Sequence, residues 1–376
     1  MPAHSTSFED MTFTEPRTVL FAVGQKESID TKLSWRWARD QFILPSDQIW
    51  LVHTRKKQSG WIPLDSVKVR RRPLSSTPCS QQFPFREERS SHDYFLTLSL
   101  CFSFKTLSDV SLAKDWLPAE IAQSIQGMQH KLIVIDTTHD PGEALLKFIS
   151  LETPRDAMLI MGSRGRQGWQ KFLLGSVSSY VVQYAPIPLL VVRSRKYRDI
   201  PDLTSDSVGA AYLGMTTPGE SRTVAVAVDG SASSLAIIKW ACKNAFKTND
   251  QIHILHSAVD ETPIQMADVA KQVEKCMAEL AEFQKDEVAG NATSVLLDIK
   301  GGDLRDLIVD YVSDLGGAVD LLVMGTRGIK GNLKRAVMGS VSSYCLSFAN
   351  CPVLVVPSDI AREAAGPDSA DDTPVA

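Results

Sequence analysis

The 376-residue sequence predicts an α/β protein built as two tandem copies of one domain, each a parallel sheet with helices on both faces. Two observations predict this. The first is a stretch that occurs twice: Met161-Gly-Ser-Arg-Gly165 followed by Gly175-Ser-Val-Ser-Ser-Tyr180, and Met324-Gly-Thr-Arg-Gly328 followed by Gly339-Ser-Val-Ser-Ser-Tyr344. The second is the setting of each copy. Short apolar runs alternate with helical patterns, as in a chain of βαβ crossovers.

In the first copy, Thr18–Val23 reads as a buried strand and Ser28–Phe42 as a helix carrying Leu33, Trp35, Trp37 and Phe42. Gln48–His53 is the second strand. Pro118–Met128 reads as a helix with proline at an early position, and Leu132–Ile135 as a strand. A helix begins at Asp140, and Ala157–Met161 leads into the glycine loop. A last strand, Pro188–Val192, follows the helix that the loop feeds. The second copy repeats the order: Thr223–Val228, a helix over Ser234–Phe246, Gln251–His256, a long amphipathic helix over Pro263–Ala289, Ser294–Ile299, a helix over Leu304–Leu315 with Asp303 as N-cap, Asp320–Met324, the second glycine loop, and Pro352–Val356.

Domain boundaries follow from this pattern. Residues 1–16 form a polar lead expected to be disordered, 17–193 the first domain, 194–221 a polar Pro/Gly linker, 222–357 the second domain, and 358–376 an acidic tail expected to be disordered. Residues 69–114 fit neither copy, and they account for the greater length of the first. Three readings stand for them: a flexible regulatory loop, an extra β-hairpin or lid, or a retained intron, since a pyrimidine-rich tract encodes such Phe, Leu, Ser and Pro. Sequencing the transcript across these codons separates the last from the others.

Composition narrows the function. Hydrophobic residues make up 44% and charged residues 22%, the proportions of an ordinary globular protein. The net charge of −4 gives no reason to expect nucleic acid, and no apolar run reaches the roughly 20 residues of a membrane span. Six scattered cysteines without a Cys-x-x-Cys pair, behind a polar N-terminus, suggest reduced thiols and a cytoplasmic protein. No paired catalytic side chains accompany the strand-end histidines His53 and His256, which read as packed rather than as bases. A glycine loop that leaves a strand and feeds a helix, in contrast, suits a phosphate. Its backbone N–H groups point outward, no Cβ obstructs approach, and the helix dipole favours an anion.

With both loops in view the chain resembles the universal stress protein family in a tandem two-domain form. The resemblance covers about 17–193, apart from 69–114, and 222–357. It rests on Gly-x-x-Gly, a spacer, then Gly-Ser between the fourth strand and its helix, and on an aspartate ending the first strand. It implies two five-stranded parallel α/β sandwiches of the adenine nucleotide alpha hydrolase-like type, strand order 3-2-1-4-5. The ligand would then lie over the strand ends at the switch point between the first and fourth strands. The implied ligand is ATP or AMP, with Mg2+ as an accompanying ion.

In the second domain the resemblance implies that Asp229 accepts from ribose hydroxyls, that Ala227 and Val228 line the adenine, and that Ser257 meets its edge. Met324, Gly325, Arg327 and Gly328 would wrap the nucleotide, and Gly339, Ser340, Val341 and Ser342 would donate N–H and hydroxyl groups to phosphates. The weaker first-domain set is Thr54, Met161, Gly162, Arg164, Gly165, Gly175, Ser176, Val177 and Ser178. There Gly24 stands in place of the aspartate. Losing a hydrogen bond to a charged group costs about 1.5–3 kcal/mol, one to two orders of magnitude in affinity. The second domain is therefore expected to be the better site, although its spacer has ten residues against nine in the first.

The resemblance also implies pairing of the fifth strands, either within one chain as a pseudo-dimer or between two chains. The expected function is a nucleotide-dependent stress-response sensor or interaction module rather than an enzyme. Neither the His-x-Gly-His loop of nucleotidyl transferases nor the Ser-Gly-Gly-x-Asp-Ser loop of ATP pyrophosphatases is present. The alternatives are a scaffold with vestigial sites and a slow ATPase.

Overall fold

The computed structural model describes residues 16–24, 26, 28–57, 102–163, 174–193, 221–257, 263–286, 291–297, 302–314, 319–326 and 338–365. The first half runs β1 (Thr18–Val23), α1 (Ile29–Gln41), β2 (Gln48–Lys56), β3 (Phe102–Leu107), a 3-10 turn (Val110–Ala113), α2 (Ala119–Ser124), β4 (His130–Thr137), α3 (Pro141–Glu152), β5 (Met158–Gly162), α4 (Ser176–Tyr184) and β6 (Leu189–Val192). The second half runs β7 (Thr223–Ala227), α5 (Ala232–Asn244), β8 (Gln251–Ser257), α6 (Pro263–Phe283), β9 (Asn291–Leu297), α7 (Leu304–Asp314), β10 (Leu321–Gly325), α8 (Ser340–Phe348), β11 (Val353–Val356) and α9 (Ser358–Ala365).

All the strands join one sheet in the order β3-β4-β2-β1-β5-β6-β11-β10-β7-β8-β9. Each half contributes five parallel strands in the order 3-2-1-4-5, as the family resemblance implies. The halves meet at an antiparallel pair, β6 on β11, with Leu190 opposite Leu354 between the pairs Val191–Val353 and Leu189–Val355. Both strands are buried along their whole length. Left alone, each would be a bare apolar edge open to pairing with other chains; paired, both become sheet interior. The expected fifth-strand contact is therefore made within one chain.

Alternation along the strands sorts side chains onto two faces. Val19, Phe21 and Val23 of β1 pack with Trp35 and Trp37 of α1 on one face, while Leu20 packs with Phe148 of α3 and Val181 of α4 on the other. Helices cover both faces because buried parallel strands leave apolar surface on each side.

Four sequence expectations change. The end of the anomalous stretch is ordered: β3 adds an antiparallel strand to the outer edge of β4, and Ala113 just after it is buried. The rest of that stretch, like 1–15 and residues 194–220 of the linker, lies outside the described residues. The helix expected over 118–128 stops at Ser124, where Trp35 Nε1 donates to Ser124 Oγ at 2.7 Å. Gly127, at φ +93°, then turns the chain toward β4. Strand β9 starts three residues earlier than the apolar run, because Asn291 pairs with Gln251 of β8. Finally, the tail does not end its structure at Ser358. Helix α9 packs on α5, and Arg362 donates to Ser233 Oγ at 2.9 Å.

Candidate functional site

Both glycine loops are tied at the base in the same way. Strands β5 and β10 end at Gly162 and Gly325. The next residue donates across the sheet, Ser163 N to Val192 O and Thr326 N to Val356 O, each at 3.2 Å. Its own carbonyl then accepts from the glycine that starts the following helix: Gly175 N to Ser163 O at 3.0 Å and Gly339 N to Thr326 O at 2.6 Å. Each loop thus leaves and re-enters the fold through one clamped pair.

Gly175 and Gly339 are N-caps in extended conformation. The first intrahelical bonds run from Ser179 and Ser343 back to these glycines. Glycine has no side chain with which to cap, so the N–H groups of Ser176, Val177 and Ser178, and of Ser340, Val341 and Ser342, have no N-cap side chain to accept from them. Two other helices do carry side-chain caps. Asp140 accepts from Gly142 and Glu143 at the start of α3, and Ser28 caps α1.

The hydroxyl part of the expectation is corrected for Ser342. Ser342 Oγ donates to Gly325 O at 2.6 Å and Ser178 Oγ to Gly162 O at 3.2 Å, and both side chains are buried. Those hydrogens are committed to strand-end carbonyls, so these serines offer a ligand only their backbone N–H. Met161, Met324 and Val228 likewise bury their side chains in the core, which leaves their backbone at the strand ends. Ser176 and Ser340, by contrast, are exposed. Arg164, Gly165, Arg327 and Gly328 lie outside the described residues.

Strands β7 and β10 are parallel neighbours, with Leu322 opposite Ala225 and Val323 opposite Val226. Asp229 follows β7 and the glycine loop follows β10, so both leave the same end of the sheet. One oxygen of Asp229 is fully engaged: Oδ1 accepts from Ser231 N at 3.1 Å and from Ser234 Oγ at 2.8 Å. The other, Oδ2, is buried and meets no donor among the described residues. Gly230 follows at φ +76°, and a Cβ there would sit 2.7 Å from Val269 Cγ2 of α6. This position needs glycine for its backbone and for its space. Ser257 closes β8 opposite Leu297 and is half-buried, as is Ala227, which faces Leu255.

The same end of the first domain is built differently. Gly24 stands where Asp229 does. His53 Nδ1 lies 3.0 Å from Val23 O, and its ring stacks on Trp116 at 5.1 Å with planes 8° apart. Burial pushes the His53 pKa below its usual value. Thr54 lies inside β2, in register with Ile135 of β4. His53 is thus the packed residue that the sequence suggests, and so is His256, whose Nε2 is 2.9 Å from Ser294 Oγ. Sequence reading did not single out Ser234 or Trp116. The signal for Ser234 was present in its position, the third residue of α5, from which a side chain reaches back past the cap.

Among the described residues no group of three His, Cys, Asp or Glu side chains is arranged to hold a metal ion. None of their helices is long and apolar enough to cross a membrane.

The chain is 28% identical over 162 residues to the universal stress protein PHOS32 of Arabidopsis thaliana, covering 37% of this chain and 66% of that one. It is 28% identical over 212 residues to a universal stress protein of Mycobacterium tuberculosis, covering 54% and 63%. The matches therefore span just under two thirds of these relatives. A solved structure of a putative universal stress protein from Pseudomonas aeruginosa aligns over 93% of this chain and 96% of that one, at 14% identity and a TM-score of 0.49. The model of the Universal stress protein family matches residues 112–193 and 220–357. That match takes in more than half of the chain and both glycine loops, and the chain belongs to the universal stress protein family.

Proposed function

We propose that the second domain binds an adenine nucleotide, ATP or AMP, and that occupancy switches a partner surface, making the chain a nucleotide-dependent sensor or interaction module of the cytoplasm. The observation that carries this reading is Asp229. A buried carboxylate oxygen without a donor is costly, and a ribose hydroxyl is a donor of the right kind. Beside it, the N–H groups of Ser340, Val341 and Ser342 open the helix that follows the glycine loop, where a phosphate is favoured. Ala227 and Ser257, half-buried at the ends of β7 and β8, would meet the base. A triphosphate would bring Mg2+ on its own oxygens. The first domain, with Gly24 and the His53–Trp116 stack in place of a carboxylate, is the weaker site. Among the described residues no pair of side chains is set for proton transfer beside Asp229, so turnover beyond slow hydrolysis is not part of the proposal.

Calorimetric titration of ATP and AMP into the full chain tests it. Wild type is expected to bind, and Asp229→Ala to bind about 10–100-fold more weakly. Wild type without affinity for either nucleotide would leave the protein a scaffold. Binding indifferent to Asp229→Ala would move the site elsewhere.

A further inference from the structure

We propose that Ser234 is the positioning residue that makes Asp229 selective for a ribose bearing its hydroxyls. The inference rests on the nucleotide-binding reading of the second domain. One buried hydroxyl holds Asp229 twice. Ser234 Oγ accepts from Asp229 N at 3.2 Å and donates to Asp229 Oδ1 at 2.8 Å. Backbone and side chain of the aspartate are thereby fixed to one atom, which is itself fixed at the third position of α5, where Ser234 N bonds Ser231 O at 3.0 Å.

The consequence falls on the other oxygen. A carboxylate with a single donor on one side can rotate and offer either oxygen to it. Here Ser231 N and Ser234 Oγ both claim Oδ1, so a rotation that gave Oδ2 to them would only exchange the two oxygens. In any orientation one oxygen is saturated and the other is left for a ligand. Without Ser234 the carboxylate would keep only Ser231 N, and its orientation would have to be fixed at the moment of binding. Preorganisation of this kind acts by removing that ordering cost.

The first domain lacks the device as a whole. Its counterparts are Gly24 and Thr31, and Thr31 N lies 3.5 Å from Ser28 Oγ. Five residues separate β1 from α1, against four between β7 and α5, so the helix start sits farther along the chain from the strand end.

The experiment compares ATP with 2′,3′-dideoxy-ATP, which lacks both ribose hydroxyls, on the full chain by calorimetry. Wild type is expected to prefer ATP by about 10–100-fold, the value of hydrogen bonds to a charged group. Ser234→Ala, and Ser234→Cys as a second variant of near-equal shape, are expected to lose about tenfold of that preference while keeping wild-type affinity for the dideoxy nucleotide. Ser234→Thr, which restores a hydroxyl, is expected to recover the preference. Unchanged dideoxy affinity also shows that a variant is folded. An unaltered ATP preference in both loss variants overturns the proposal. So does an equal fall for both nucleotides, which is what a merely structural role would give. Failure of wild type to bind ATP at all overturns the nucleotide reading itself, and this inference with it.

Discussion

Arg222 and Gln41 belong to different halves of the chain, yet the Arg222 guanidinium donates to the Gln41 carbonyl at 2.7 Å. Arg222 precedes β7, and Gln41 ends α1. The counterpart contact runs the other way: Arg17, before β1, donates to the carbonyl of Asn244, which ends α5. Each arginine is also held by an aspartate of its own half, Arg222 by Asp250 and Arg17 by Asp47. Cations at helix C-termini are favoured by the dipole. The two halves are thus fastened by a reciprocal pair of arginines as well as by β6 on β11.

Arg222 and Asp250 are both fully buried. Removing one member of such a pair leaves an uncompensated charge inside the protein, at a cost of about 3–5 kcal/mol. Arg222→Ala is expected to lower the unfolding free energy by that amount, read from the fall in denaturant midpoint at unchanged slope. Exchanging both partners for apolar residues of similar volume is expected to cost less than the single change. Equal losses in the two variants would show that packing, rather than the stranded charge, sets the cost.

Gly230→Ala is expected to weaken both stability and nucleotide affinity. Its φ of +76° costs any residue with a Cβ about 1–2 kcal/mol, and the Cβ would collide with Val269. Truncating Val269 to Ala in the same chain removes the 2.7 Å contact with Cγ2, but leaves Cα at 3.1 Å and Cβ at 3.2 Å and the backbone strain. The double variant should therefore recover only part of the loss, and full recovery in a thermal melt would contradict the strain argument.

Much of this architecture was legible in the sequence. Apolar runs marked the strands because strands buried on both faces need them, and the doubled glycine loop marked the repeat. Three features were not legible, each for a physical reason. Strand β3 lies at an edge with half-buried or exposed side chains, so neither face imposes a period. The first residues of β9 are Asn291-Ala-Thr293, held by register with β8 rather than by burial. Ser342 reads as a phosphate donor until the structure shows its hydroxyl spent on Gly325 O. The arginine clamp could have been read from the repeat alone, since Arg17-Thr18 and Arg222-Thr223 stand at the same place in the two copies. Only the fold shows that each arginine crosses to the other half.

Acidification is expected to destabilise the chain through its packed histidines. Val23 O can only accept, so Nδ1 of His53 carries the hydrogen in this contact. Burial, the largest cause, lowers its pKa; Arg55 adds to this, while the Val23 and Gly24 backbone and Asp136 oppose it. His253 and His256 are lowered by burial as well. A lowered pKa means that the unfolded chain takes up the proton first. Stability is then complete above the ordinary histidine value of about 6.5 and falls as pH drops through it toward the folded values. His53→Phe keeps a ring against Trp116 and removes one of the titrations. Its stability should depend less steeply on pH between about 7 and 5.5 than that of wild type; an identical slope would exclude His53 as a contributor.

Lys247 gives the opposite end of the pH scale. It lies where the halves meet, with Nζ 3.4 Å from Gln41 Oε1, and its pKa is lowered to about 8 by burial and by the Arg222 charge, against the pull of Asp250, Asp320 and Asp40. At pH 7 the folded chain must hold a proton there that the unfolded chain holds more tightly, so the ammonium opposes folding. Lys247→Met keeps the apolar stem and removes the charge. It is expected to stabilise the protein at pH 7 by of order 1 kcal/mol, less than the shift alone would give because the side chain keeps some contact with water. The stability of wild type should rise as pH climbs from about 8 toward the unfolded lysine value of about 10.4, and the advantage of the methionine should shrink over the same window. Denaturant titrations at pH 7 and pH 10 measure both. A methionine advantage that is the same at the two values would show that packing, and not the buried ammonium, is what the substitution changes.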